Sequence, residues 1–192
     1  MIRPLLAATL ALTALSHADI GADLVAEMNL ARTQPKAYAR IVADRGAAAG
    51  ASAGAIREAV RFLERQGRVP ALVLSPGLSQ AALSHVIDAG GRGFRSHRGS
   101  DGSNVSNRAN RFGRWDGRIG ENIYFGRSSA RDAIVALIID QGVGDRGHRS
   151  NIFEKTFRYV GAAAGPHVSM GAVFVTDFAA SYRESGERTA GL

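Results

Sequence analysis

The chain of 192 residues contains no cysteine. That excludes disulfides, a thiolate metal site and a thiol nucleophile. Lysine is almost missing as well: Lys36 and Lys155 are the only two, so nearly every positive charge is a planar guanidinium suited to phosphate or carboxylate. No stretch approaches the roughly 20 consecutive apolar residues a membrane-spanning helix needs. No internal repeat is visible. The chain also lacks the Gly-x-Ser-x-Gly elbow of serine hydrolases and the i, i+4 histidine pairing of helical metalloproteases.

What is present begins with a leader. Residues 1–18 carry one positive charge at Arg3, an apolar run from Leu5 to Leu15, then Ser16, His17 and Ala18 with small residues at the cleavage positions. This pattern predicts a secretory signal peptide and an exported protein, periplasmic or extracellular, starting at Asp19. Removing Arg3 with the leader leaves 23 Lys+Arg against 17 Asp+Glu, a net charge of +6. About 174 residues remain, enough for one domain that buries a core without disulfides.

Ile20, Leu24, Val25, Met28 and Leu30 recur at helical spacing, and Pro35 starts a second helix. Gly46–Gly54 is an alanine- and glycine-rich connection, and helical periodicity returns over Ala55–Gln66. Ser75 and Pro76 open a helix predicted to end at Gly90-Gly91, with His85 beside its apolar face as a packed core residue. A polar, glycine-rich segment runs from Gly91 to Gly120, with a short helix expected within Asn104–Phe112. Ile119–Phe125 reads as a strand, Ser128 and Ser129 cap a helix ending near Asp140, and Tyr159–Ala164 with Met170–Phe178 form a hairpin turning at Gly165-Pro166. The expected domain spans residues 19–182 and the expected tail 183–192. Helices first and paired strands last predict an α+β domain with a small, mostly antiparallel sheet.

Glu121 stands in a predicted strand between Gly120 and Asn122, three residue types that strand interiors disfavour. If it faces a cleft with His97 and His148 from the flanking loops, three groups converge, and Asp140 offers a fourth. Two imidazoles with carboxylate oxygens suit zinc or another divalent first-row ion. The same residues could instead hydrogen-bond to one another and brace the loops.

Four ordered motifs carry a resemblance: Asn29-Leu30-Ala31-Arg32-Thr33-Gln34-Pro35, Ser96-His97-Arg98-Gly99-Ser100-Asp101-Gly102, Gly120-Glu121-Asn122-Ile123 and Gly147-His148-Arg149-Ser150-Asn151-Ile152. In this order they resemble the bacterial branch of the CAP superfamily, which groups cysteine-rich secretory, antigen five and pathogenesis-related-one proteins. The resemblance implies a three-layer α-β-α sandwich with a central cleft lined by two histidines and two acidic residues. It places His97, Glu121 and His148 in that cleft. Asp140 falls where the family usually has glutamate, one methylene longer, and Asp145 is the weaker substitute.

Two functional readings follow. The first is a secreted binding module whose cleft takes zinc or another divalent cation as its expected cofactor, and whose surface meets an envelope glycan, lipid or other anionic partner. The alternative is a metal-dependent or acid/base hydrolase of an envelope polymer or peptide, with Glu121, His97, His148 and Asp140 as candidate catalytic groups. Arg92, Arg95, Arg98, Arg108, Arg111, Arg114 and Arg118, interleaved with Phe94, Phe112 and Trp115, form a basic-aromatic run of the kind that binds single strands. Export favours an anionic glycan or phospholipid over nucleic acid for this run.

Overall fold

The structure is a computed structural model and describes residues 20–186; the leader lies outside the described residues. Helix α1 (20–33) leads into α2 (Pro35–Arg45), with Pro35 in the first turn. A proline there gives up no helical hydrogen bond, because first-turn N–H groups have no intrahelical acceptor. Helix α3 (Ala53–Arg65) is capped by Ser52. The two-residue strand β1 (Val73–Leu74) precedes α4 (Pro76–Arg92), whose cap Ser75 accepts from Leu78 N at 3.1 Å. Gly93 closes α4 at φ 76°, a left-handed position that glycine takes without a Cβ clash. Helix α5 (Val105–Ala109) is held by a capping box between Asn104 and Asn107. Strand β2 (Gly113–Phe125), helices α6 (Ala130–Ile139) and α7 (Gly147–Phe153), and strands β3 (Tyr159–His167) and β4 (Gly171–Glu184) complete the chain.

The sheet order is β1-β3-β4-β2. β1 runs parallel to β3, and the other pairs are antiparallel. Side chains alternate across it. Val160, Ala162 and Ala164 join the larger core with Leu24, Met28, Ile134 and Phe157, whereas Ala163 joins Ala82 and Val86 of α4. The backbone nearly touches its neighbours on both faces: a Cβ on Gly21 of α1 would meet Ala162 O at 2.6 Å, and one on Gly161 would meet Leu78 C at 2.0 Å. Three layers result, with α4 and α5 on one side of the sheet and α1 and α6 on the other.

The strands depart from the sequence expectation at their ends. β2 starts at Gly113, six residues before the expected Ile119, because it is a polar edge strand with a register shift between Asp116 and Ile119 at Gly117, φ 77°. The hairpin turns at Val168–Met170 and not at Gly165-Pro166: Pro166 pairs with Ala172 inside the ladder. Proline fits there because the short β1 pairs only with Tyr159 and Val160, leaving the far side of β3 open. β4 continues through Arg183 and Glu184, which the expected tail would have excluded; the Glu184 carboxylate accepts from Ser75 Oγ at 2.7 Å and Gly77 N at 2.8 Å.

Candidate functional site

Glu121 and Asn122 are consecutive on the edge strand β2, so their side chains leave opposite faces of the sheet. Glu121 turns to the α4–α5 layer. There its Oε1 accepts from His97 Nδ1 at 2.7 Å and its Oε2 accepts from Arg108 Nη2 at 2.5 Å. Arg108, buried in α5, also donates from Nη1 to the carbonyls of Ser103 at 3.0 Å and His97 at 3.2 Å. One guanidinium therefore fixes both the glutamate and the loop that carries the histidine.

Asn122 turns to the opposite layer. Its Nδ2 donates to His148 O at 3.0 Å, and Asn151 Nδ2 returns a bond to its Oδ1 at 2.9 Å, tying the edge strand to the start of α7. Asp140 is also there. It ends α6 in the left-handed region at φ 54°, and its Oδ2 accepts the backbone N–H of His148 at 2.9 Å and of Arg149 at 3.2 Å. Its Oδ1 accepts from His148 Nδ1 at 2.7 Å. The missing methylene is no handicap, because the chain reversal brings Asp140 directly against the first turn of α7. Asp145 instead takes Gly147 N at 3.1 Å.

The site is thus two carboxylate–imidazole pairs on either side of one sheet edge. A carboxylate can only accept, so each Nδ1 carries a proton, and Nε2 is the ring nitrogen that does not face the carboxylate. The His97 side chain is 61% exposed and that of His148 is 25% exposed, while both carboxylates are buried. Burial alone would raise the pKa of Glu121, but the His97 hydrogen bond and the Arg108 charge outweigh it and hold the carboxyl below its usual range. With both oxygens engaged, an ionised Glu121 is a hydrogen-bond acceptor and a poor proton donor.

Behind Glu121 lies a second carboxyl. Asp177 stands directly opposite on β4, fully buried, with neither oxygen hydrogen-bonded among the described residues. Burial and then the Glu121 charge push its pKa well above the usual carboxylate range. His85 is also buried. Desolvation lowers its pKa, and its Nε2 bonds Ser96 O at 2.9 Å, in keeping with the core role expected for it. Sequence reasoning passed over Asp177 although it offered a signal, a lone carboxylate inside the apolar run Val173–Phe178.

A hollow of about 350 Å³ lies beside the second pair, lined among others by Asp140, His148, Ile123, Phe125 and Arg95, but not by His97 or Glu121. Among the described residues no three His, Asp or Glu side chains are grouped closely enough to hold one ion. The donor chemistry still suits a divalent cation: two imidazoles with free Nε2, each oriented through Nδ1 by a carboxylate, are the usual outer arrangement of metal-bound histidine. In this geometry Glu121 and Asp140 each hold one imidazole through Nδ1, and the four side chains do not gather as a four-ligand cage.

The arginine run does not form one free patch. Arg108 is spent on Glu121, Arg92 pairs with Asp88, Arg111 with Asp101 and Arg118 with Glu154. Phe94, Phe112 and Trp115 are partly buried, with Phe94 against His85.

The cysteine-rich secretory protein family, CAP, matches residues 25–178. The chain belongs to that family. The matched span takes in all four site residues and every element from α2 to β3. No curated protein matches. Similar solved structures include an extracellular protein containing an SCP domain from Bacillus anthracis str. Ames, at 20% identity and TM-score 0.46 over 58% of this chain and 34% of that one. An outer surface protein of Borrelia burgdorferi has 15% identity and TM-score 0.48 over 58% of this chain and 78% of that one. A cysteine-rich secretory protein of Staphylococcus aureus subsp. aureus Mu50 has 11% identity and TM-score 0.43 over 67% of this chain and 37% of that one. This CAP chain therefore spans about a third of the Bacillus and Staphylococcus proteins.

Proposed function

We propose that this CAP protein is exported and acts as a binding module, using His97 and His148 to take a divalent cation such as zinc and its basic surface to meet an anionic envelope component. The carrying observation is the pair of Nδ1–carboxylate hydrogen bonds, each 2.7 Å, which leave Nε2 of both imidazoles as the available donor. A bound cation would supply Lewis acidity toward an anionic or carbonyl group of the partner. His97 and His148 would hold it, with Glu121 and Asp140 fixing the ring orientations. Two protein donors leave positions for water or partner, so affinity falls below that of a closed four-ligand site. Export is supported by the leader pattern.

Zinc titration calorimetry at neutral pH tests the cation site. His148→Ala and His97→Ala should each abolish or sharply weaken binding, and Asp140→Asn should weaken it about 10–100-fold by freeing the ring it orients. Unchanged zinc binding in both histidine variants, with circular dichroism showing them folded, would overturn the proposal.

A further inference from the structure

The two most exposed large apolar side chains among the described residues are Val168, 72% exposed, and Ile87, 66% exposed. Val168 lines a hollow beside the end of α4. Val168 sits in the β3–β4 turn, its N–H bonded to Gly90 O at 3.1 Å, and Ile87 lies one helical turn before Gly91, which lines the same hollow of about 590 Å³. Arg127 also lines it and lies over Gly171, and Met170 joins it to the neighbouring hollow lined by Arg95 and His148. Both arginines are exposed, and neither pairs with a carboxylate among the described residues. The acid on this end of α4, Asp88, is occupied by Arg92 and by Ser100 N and Oγ.

We infer that this end of the molecule docks on an anionic phospholipid bilayer, with Val168 and Ile87 entering the interface and Arg95 and Arg127 meeting lipid phosphates. Charge complementarity selects the occupant. Two unneutralised guanidiniums beside protruding aliphatic side chains match a surface that is anionic at the headgroups and apolar just beneath, and guanidinium is the cation best shaped for phosphate. The surrounding main chain is well fixed: His167 Nε2 donates to Phe94 O at 3.1 Å, and His167 Nδ1 accepts from Ser169 N and Met170 N at 3.2 Å each. Val168 is therefore held outward by a rigid turn. The inference rests on the anionic-partner reading above and is independent of the cation site.

The test is co-sedimentation of the protein, as processed by the cell, with vesicles of phosphatidylcholine with and without phosphatidylglycerol, in EDTA and across a salt series. Binding should require phosphatidylglycerol and weaken with salt. Arg95→Gln with Arg127→Gln should lower the partition constant about thirtyfold at low salt, about fivefold per arginine. Arg40→Gln with Arg57→Gln, exposed positions on α2 and α3, removes the same charge and should have little effect. Val168→Ser with Ile87→Ser should reduce binding even at low salt. If phosphatidylglycerol vesicles bind but these variants match wild type, the surface is wrongly placed. If no vesicle binds while an anionic polysaccharide does, the bilayer inference is overturned and the broader reading stands. Binding to neither would sink both.

Discussion

Arg108→Met should destabilise the protein more than any change at the exposed histidines. The guanidinium and Glu121 are both buried, and Arg108 further satisfies the carbonyls of Ser103 and His97. Deleting one member of a buried ion pair costs about 3–5 kcal/mol, mostly from the charge left behind. For a chain of this size that is a fall of about 6–20 °C in midpoint temperature. The pH dependence follows from Glu121. In the wild type its folded pKa is depressed, so its stabilisation is complete above the unfolded value of about 4.3 and is lost as pH falls through the lower folded value. Without Arg108, burial raises that pKa against the His97 hydrogen bond and the weaker influence of the two nearby imidazoles. The variant's deficit should therefore be largest at neutral pH and shrink as pH falls toward about 4. Adding Glu121→Gln removes the stranded charge, so the double variant should be more stable than Arg108→Met alone. Urea unfolding of the wild type, both single variants and the double variant across pH measures this. A neutral-pH loss below about 1 kcal/mol, or a deficit untouched by Glu121→Gln, would refute the reasoning, since the cited cost of breaking a buried pair would then be absent.

Arg32 should matter comparably at the C-terminal end of α7. Fully buried, it donates to Pro70 O at 2.8 Å, Ile152 O at 2.6 Å, Glu154 O at 3.1 Å and Phe157 O at 3.3 Å. Arg32→Met strands these carbonyls and should cost about 3–5 kcal/mol by chemical denaturation; a change under about 1 kcal/mol would show that water replaces the guanidinium. Two glycines should behave oppositely. Gly161→Ala drives a Cβ to 2.1 Å from Ser79 N and should cost about 3 kcal/mol or more, whereas Gly91→Ala, in open space on α4, should stabilise by about 0.5–1 kcal/mol. Equal melting shifts for the two would contradict the close backbone approach of α4 to β3.

The sequence determined the parts with local physical causes. Ser75, Ser129 and Pro35 announced their helices because caps and first-turn prolines act within one turn. Four short motifs in order carried the family, and the misfit of Glu121 in a strand marked it as a candidate site residue. Strand limits were less legible: β1 is held by pairing with β3, and the first half of β2 by pairing with β4, so neither has a pattern of its own. Only the tertiary structure decided how the site is assembled. It set Glu121 and Asn122 on opposite faces of an edge strand, paired the His97 and His148 imidazoles with one carboxylate each, and placed buried Arg108 and Asp177 behind the first pair. Composition gives the number of charges, but burial and the partner across the sheet decide which are neutralised, which are shared and which remain free for a ligand.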